Sequence, residues 1–221
     1  MAASKPTSVV LLSGGLDSAV ALYWCLREGH RVLPLTFEYH GRPQREVLAC
    51  DALVEHAAGQ GEVLPLERIA LPFLREVEDL PGRPPHLRGA PEGYIPARNL
   101  VFYSVAASVA EREGARLIVG GHNGFDPDDF PDSSPRFFAM LNALFHDAAW
   151  SHRRVPFEVV QPLGRLVKVE VLRLARELDV PVELTWSCYA DGTERCDRCG
   201  SCEERREAFR ELEQPDPAIF A

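Results

Sequence analysis

Long apolar runs are missing from the sequence, since no stretch is long enough to span a bilayer. Residues 1–7 also lack the charged and apolar pattern of a signal peptide, so we expect a cytoplasmic protein with reduced thiols. Excess positive charge is missing as well: the formal charge is −9 at pH 7, whereas surfaces that follow a nucleic-acid backbone are usually basic. We therefore expect no membrane partner and no stable nucleic-acid partner, and favour a small-molecule substrate.

The sequence also lacks an internal repeat, and its 221 residues with 46% apolar content suit one well-buried domain. Short aliphatic and β-branched runs alternate with segments whose apolar residues recur at helical spacing. The predicted strands cover residues 8–12, 31–37, 62–66, 116–120 and 158–161. The predicted helices cover residues 16–26, 43–58, 97–113, 135–149, 171–178 and 203–213. This alternation predicts an α/β fold with a doubly wound, mainly parallel sheet.

Three segments have a less regular pattern. Residues 71–96 are rich in proline, and residues 121–135 are rich in glycine, proline and aspartate. Loops of such length in a compact domain are usually functional or disordered. A lid and a linker remain equally open for the first loop, whereas we favour a functional role for the second. In the last predicted helix, 203–213, Arg and Glu alternate, which is typical of a solvated face.

A glycine pair stands between the first predicted strand and helix, in the segment Ser13-Gly14-Gly15-Leu16-Asp17-Ser18. Backbone amides of such a turn, with the positive end of the helix dipole, can bind a phosphate, and the two serines add hydroxyl donors. The alternative is a plain turn between a strand and a helix. The segment lacks a Gly-Lys-Ser/Thr ending and a Gly-x-Gly-x-x-Gly pattern, which disfavours the loops of kinases, GTPases and dinucleotide enzymes. It resembles instead the PP-loop of the ATP pyrophosphatase superfamily, which cleaves ATP between its α- and β-phosphates.

This resemblance implies roles for individual residues. The loop would hold the departing pyrophosphate, and Asp17 would lie near Mg²⁺ and the phosphates. Lys168 matches the lysine of a Lys-x-Glu motif that reaches the phosphates in the superfamily, although an exposed helix lysine is the plain alternative. We therefore expect residues 13–18 and Phe37 to bind ATP, with Asp17 and Lys168 as catalytic residues. Such a site suits adenylation of an acid. A carboxylate would have to expel oxide, whereas an acyl adenylate expels AMP, which is a far better leaving group.

Four cysteines lie close together near the carboxyl end, with the spacing Cys-x7-Cys-x2-Cys-x2-Cys. They are Cys188, Cys196, Cys199 and Cys202. Four thiolates at this spacing can form a closed tetrahedral shell around Zn²⁺, which is typical of a structural rather than a catalytic site. A disulfide pair is disfavoured by a reducing compartment, and an iron-sulfur cluster stays open. Cys25 and Cys50 lie on predicted helices, where buried core thiols are expected.

Further segments carry a closer resemblance: Tyr94-Ile95-Pro96-Ala97-Arg98-Asn99 and Glu183-Leu184-Thr185-Trp186-Ser187-Cys188-Tyr189. With the phosphate loop and the cysteines, they resemble the 7-cyano-7-deazaguanine synthase family, also called QueC or ExsB. The resemblance implies an adenine nucleotide alpha hydrolase-like, Rossmann-like fold with a zinc-binding knuckle, and a homodimer. It also implies a ligase that uses ATP, Mg²⁺ and ammonia to convert 7-carboxy-7-deazaguanine into the nitrile, on the route to queuosine. Arg98 matches the arginine of the family's Pro-Gly-Arg-Asn motif and is expected to act catalytically at the phosphates.

The family's substrate loop is matched only in part. It commonly reads Asp-Tyr-Ser-Gly-Tyr-Pro-Asp-Cys-Arg-Pro, whereas residues 126–135 read Asp-Pro-Asp-Asp-Phe-Pro-Asp-Ser-Ser-Pro. Pro127 and Phe130 replace its tyrosines, and Ser134 replaces an arginine suited to steering a carboxylate. His122 stands where valine is usual, and it is open to a supporting hydrogen bond at the substrate, to general-base catalysis or to a plain polar role in the loop. The residues expected to bind the substrate are Asn123, Asp132, His122 and Phe130.

Three functions remain open at this point. The first is the nitrile synthase itself. The second is a paralogue that adenylates a deazaguanine acid and joins it to another amine, on a protein or peptide, for example in antiphage defence. The third is a non-enzymatic nucleotide-binding module, against which Asp17 and Lys168 count. We divide the chain into an ATP-binding domain, 1–187, and a zinc-binding knuckle with the C-terminal helix, 188–221, packed together as one unit.

Overall fold

The computed structural model describes residues 5–82, 84–91, 93–124, 130–190, 192 and 194–217. Its strands are Thr7–Leu11 (β1), Arg31–Glu38 (β2), Glu67–Ala70 (β3), Leu117–Val119 (β4) and Glu158–Val160 (β5). Its α-helices are Leu16–Arg27 (α1), Gln44–Ala58 (α2), Arg98–Glu113 (α3), Pro135–Ala148 (α4), Lys168–Glu177 (α5) and Gly200–Glu211 (α6). Short 3-10 helices lie at Val77–Asp79, Pro85–Leu87, Pro131–Ser133 and Val182–Leu184. Within this described part of the chain, no helix has the length and apolar character needed to cross a membrane.

The strands form one parallel sheet in the order β3-β2-β1-β4-β5. Because side chains alternate along a strand, successive residues of β1 enter different layers of the core. Val9 packs in the layer formed by α3 and α4, whereas Val10 packs in the layer that contains α1 and α5. Helices thus cover both faces of the sheet, which confirms the predicted α/β, doubly wound architecture.

The third strand begins later than predicted. It spans Glu67–Ala70 rather than 62–66, and Val63 forms only an isolated bridge to Val32. Pro65 lies between the bridge and the strand, and proline has no N–H to donate to a ladder. The aliphatic run alone does not reveal this interruption. The other predicted elements agree with the observed bounds to within a few residues.

The Arg/Glu alternation of the C-terminal helix predicts a solvated face, but the helix also contains a buried arginine. Helix α6 begins at Gly200, and Arg205 within it is only 1% exposed. The guanidinium donates to the Asp216 carboxylate at 2.7 and 2.9 Å and to Thr185 Oγ1 at 2.7 Å. Burial alone would raise the pKa of Asp216, but these hydrogen bonds outweigh burial and lower it. The buried ion pair therefore ties α6 and the following tail to the segment that precedes the cysteines.

Candidate active site

A cavity of about 300 Å³ opens beyond the carboxyl ends of β1, β2 and β4. In a doubly wound sheet, ligands bind in the crevice where the strand order reverses, here between β1 and β4. Of the predicted site residues, the cavity lining includes Ser13, Gly15, Leu16, Asp17, Ser18, Phe37, Arg98, His122, Phe130 and Lys168. Gly14, Asn123 and Asp132 are outside this lining. Most of the residues predicted for nucleotide and substrate thus line one cavity.

The turn between β1 and α1 is held in shape by its own side chains and by close packing. Gly14 has φ +94°, and a Cβ atom there would clash with the Glu46 carbonyl oxygen, so the position requires glycine. The Ser18 hydroxyl donates to the Gly15 carbonyl at 2.9 Å, and the Gly15 N–H donates to Ser13 Oγ at 3.2 Å. The turn ends at the amino terminus of α1, where free amides and the helix dipole favour an anion.

Arg42 supports this turn through a hydrogen bond to its backbone. The sequence did not predict this role. Its side chain is only 4% exposed, and its guanidinium donates to the carbonyl oxygens of Ser13, at 2.9 Å, and Phe37, at 2.6 Å. Glu46 accepts from the same guanidinium at 3.2 Å. Burial favours the uncharged form of Arg42, yet nearby Cys50 and Glu46 raise the pKa of its side chain on balance. The buried guanidinium therefore links the phosphate loop to β2 and α2.

Lys168 and Asp17 meet directly at the floor of the cavity. The Lys168 Nζ lies 2.7 Å from Asp17 Oδ2 and 3.0 Å from Glu204 Oε2, and the lysine side chain is 11% exposed. Burial alone would lower the pKa of Lys168, but the two carboxylates outweigh it and raise the pKa. Asn123 donates its side-chain amide to Asp17 Oδ2 at 3.3 Å. The lysine is therefore a fixed cation beside the amino terminus of α1.

The other carboxylate oxygen of Asp17 fits a metal ion. Asp17 Oδ1 is buried, and it accepts no hydrogen bond from the described residues. A buried oxygen of this kind needs a partner, because leaving it unsatisfied costs about 1–3 kcal/mol. Carboxylate oxygens are the usual protein ligands of Mg²⁺, which also binds substrate phosphates. Asp17 thus offers one ligand oxygen to Mg²⁺ at the phosphate loop.

Arg98 begins α3 at the cavity wall, directly after a residue with an unusual backbone conformation. Ala97 has φ +53° and ψ +28°, the left-handed region. Among the described residues, the Arg98 guanidinium forms no hydrogen bond or ion pair, so its donors remain available to a ligand. Strained backbone of this kind often occurs at functional sites, where it sets the direction of a side chain.

Ala97→Gly is expected to stabilise the protein. Glycine adopts a positive φ without the Cβ clash, and we expect the free energy of unfolding to rise by about 0.5–1 kcal/mol, partly offset by the greater freedom of the unfolded chain. Urea titration of the variant measures the change. Ala139→Gly, at an exposed position inside α4, is the matched control and should lose about 1 kcal/mol. An equal decrease in the free energy of unfolding of both variants would contradict the prediction.

The residues predicted to bind the substrate divide into two groups. Phe130 and His122 line the cavity; the Phe130 ring lies 6.4 Å from Tyr94 and nearly parallel to it. Asp132 instead accepts the Asn99 N–H at 3.1 Å, so it caps the start of α3. Asn123 contacts Asp17, as described above. Residues 126–129, including Pro127, lie outside the described residues.

The four clustered cysteines surround one point. Their sulfur atoms lie within 4.8 Å of one another, and tetrahedral zinc coordination at about 2.3 Å places sulfurs about 3.8 Å apart. A cluster of several irons would hold its cysteines at separate metal atoms, so this close arrangement favours one ion. Backbone N–H groups of Arg198 and Cys199 lower the pKa of Cys196 to about 6. Cys25 and Cys50 are buried elsewhere in the core.

Comparison with known proteins decides the family. The family model described as queuosine biosynthesis protein QueC matches residues 7–213. The chain belongs to the QueC family. The 7-cyano-7-deazaguanine synthase of Thermosynechococcus vestitus is 36% identical to it over 97% of this chain and 95% of that protein. The protein of the same name from Parasynechococcus marenigrum is also 36% identical, over 96% of each chain.

A solved structure shows the wider fold of this QueC family member. The NMN synthetase from Francisella tularensis superposes with a TM-score of 0.55 over 96% of this chain and 79% of that chain, at 14% identity. At this identity the likeness concerns the fold alone. Family membership confirms the resemblance that the phosphate loop, the Arg98 motif and the cysteines indicate.

Sequence reasoning missed three residues around the phosphate loop of this QueC family member. Arg42 and Glu46 had a weak signal, since opposite charges four residues apart at the start of a predicted helix can pair. Glu204 had none, because it belongs to a charge-rich helix whose exposed and buried residues look alike in the sequence. Its contact with Lys168 follows from the packing of α5 against α6.

Proposed function

We propose that this chain uses ATP to adenylate 7-carboxy-7-deazaguanine and then aminates it to 7-cyano-7-deazaguanine, releasing AMP and pyrophosphate. The observation that carries the proposal is the contact between Lys168 and Asp17 at the amino terminus of α1. A buried cation and a carboxylate beside the amino terminus of α1 support the proposal that a phosphate binds there. The names of the curated relatives supply the product, 7-cyano-7-deazaguanine, and the family resemblance implies the acid as its precursor. The pairing of Lys168 with Asp17 at this position counts against a nucleotide-binding module without activity.

The proposed chemistry gives each residue a role. Residues 13–18 hold the departing pyrophosphate with backbone amides, and Lys168 stabilises the charge that develops there. Arg98 reaches the α-phosphate or the substrate carboxylate from the start of α3. Phe37, buried beside Phe102 with ring centroids 4.1 Å apart, forms an apolar wall for the adenine. Mg²⁺ bound at Asp17 would neutralise phosphate charge.

Two adenylations balance the proposed reaction. In the first, a carboxylate oxygen attacks the α-phosphate and expels pyrophosphate, after which ammonia displaces AMP to form the amide. In the second, the amide oxygen attacks the α-phosphate of a second ATP and expels pyrophosphate, after which loss of AMP and of the two amide protons leaves the nitrile. In both steps an oxygen nucleophile attacks the α-phosphate of an ATP bound at the same position, so one fixed set of side chains serves both.

The substrate end of the cavity is proposed to bind the deazaguanine. Phe130 and His122 line it and offer ring faces on which a flat heterocycle can stack. Asp132 and Asn123 are proposed to hydrogen-bond the base, in addition to their contacts with Asn99 and Asp17. We also propose a homodimer, Zn²⁺ at the four cysteines, and the division into 1–187 and 188–221.

A second function is favoured by one observation in the substrate loop. Ser134 caps α4, because its hydroxyl accepts the Phe137 N–H at 3.2 Å. Arginine has no hydroxyl to form this cap. The serine that replaces the family's arginine therefore also supports the start of α4. A loop reshaped in this way suits a paralogue that adenylates a deazaguanine acid and transfers it to an amine of a protein or peptide.

One assay separates these functions. The protein is incubated with ATP, Mg²⁺, ammonia and 7-carboxy-7-deazaguanine, and the products are identified by mass spectrometry. The proposed function requires AMP together with the nitrile. AMP with an acid or amide product, and no nitrile, would favour the second function. Absence of AMP with the acid would refute adenylation of this substrate.

A further inference from the structure

A carboxylate from the C-terminal helix reaches the lysine of the phosphate site. Glu204 Oε2 lies 3.0 Å from the Lys168 Nζ, and the same nitrogen also contacts Asp17 Oδ2 at 2.7 Å. We propose that Glu204 is a positioning residue, which holds the Lys168 ammonium in place while the phosphates react. This inference rests on the proposed function, because it assigns Glu204 a part in the adenylation step.

Lys168 needs a second carboxylate partner because the first, Asp17, can also bind a metal ion. An ammonium has three donors, and a long flexible stem loses side-chain entropy when it is held in one place. Asp17 also has a buried oxygen, Oδ1, that fits a cation. A carboxylate drawn toward a cation would hold the ammonium less firmly. Glu204 is a separate carboxylate, so its contact with Lys168 does not use the oxygens of Asp17.

The segment around Glu204 is rigid enough for this task. Two of the clustered cysteines, Cys199 and Cys202, lie at the start of α6, just before Glu204. The next residue, Arg205, is buried and hydrogen-bonded to Asp216. Glu204 is 34% exposed, while Lys168 is only 11% exposed. The pair is therefore less screened by water than an ordinary surface ion pair, which contributes little.

The test compares Glu204→Ala and Glu204→Gln with Glu203→Ala, which removes a charge from an exposed position one residue earlier. We expect Glu204→Ala to lower kcat for AMP formation about ten-fold, because a loosely held catalytic group costs rate. The KM for ATP should stay the same or fall, since a negative charge near the phosphates is removed. Glu204→Gln should lie between, and Glu203→Ala should match the unaltered protein.

The outcomes are distinguishable. Metal content and thermal unfolding are measured for every variant, because a loosened C-terminal segment would change both. Loss of rate with lost metal, or with a raised KM for ATP, would mean a merely structural role and overturn the inference. An unchanged kcat in Glu204→Ala would also overturn it. If the unaltered protein forms no AMP, the proposed function fails and this inference fails with it.

Discussion

Lys168→Met is expected to lower kcat for AMP formation about 100- to 1,000-fold, the usual effect of removing one group that stabilises transition-state charge. Methionine keeps much of the length and apolar volume of the lysine stem but has no ammonium. The departing pyrophosphate then loses the cation that lies beside the amino terminus of α1. Steady-state rates of AMP release, measured with saturating acid and ammonia, give the change.

The chain offers a matched control for this substitution. Lys5 is the other lysine of the sequence, and it is exposed. Lys5→Met removes the same charge from the chain and should leave the rate unaltered. Lys168→Met also leaves Asp17 and Glu204 as neighbouring carboxylates without their cation, so its thermal unfolding must be measured beside its rate. A folded Lys168→Met variant that keeps its full rate would contradict a role for this lysine at the phosphates.

The fold could be predicted from the sequence because its signals are local and repeated. The strands of a buried parallel sheet are continuous aliphatic runs, and the helices between them show apolar residues at helical spacing. The third strand was misplaced because Pro65 breaks the ladder inside an aliphatic run. Register breaks of this kind depend on single backbone N–H groups, which hydropathy does not report.

The candidate site was predictable where one short segment carries the chemistry. Residues 13–18 combine glycines, hydroxyls and a carboxylate in one turn, and the cysteine spacing by itself identifies the four thiols that could hold a metal ion. Contacts that join distant segments were not predictable in this way. The approach of Glu204 to Lys168 and the burial of Arg205 on Asp216 depend on how α6 packs. An Arg/Glu-rich helix gives the same sequence pattern whether its charges face water or a neighbour.

Asp132 illustrates why a residue type does not fix a role. An aspartate in a substrate loop suits a hydrogen bond to a base, and this remains a proposal. In the structure one carboxylate oxygen also accepts the N–H of Asn99, the residue after Arg98. The loop therefore supports the start of α3 through Asp132, while its Phe130 lines the cavity. A substitution at Asp132 would therefore disturb Arg98 together with any substrate contact.

Cys199→Ser is expected to remove the metal and unfold the C-terminal segment. Serine is a much weaker zinc ligand than a thiolate, and a closed shell of four thiolates loses one of its ligands. In small zinc domains, metal binding contributes about 10–16 kcal/mol in apparent free energy, and folding depends on it. Elemental analysis should show that most of the metal is lost, and hydrogen exchange should show faster opening of α6.

The same substitution should also lower activity, because α6 carries Glu204 to Lys168. Cys25→Ala is the matched control: Cys25 is fully buried in the core and lies outside the cluster. This variant should keep its metal and lose only about 1 kcal/mol of stability. A Cys199→Ser protein with the metal content of the unaltered chain would refute the metal site. Visible absorption by the purified protein, together with bound iron, would show that the cysteines hold an iron-sulfur cluster and not Zn²⁺.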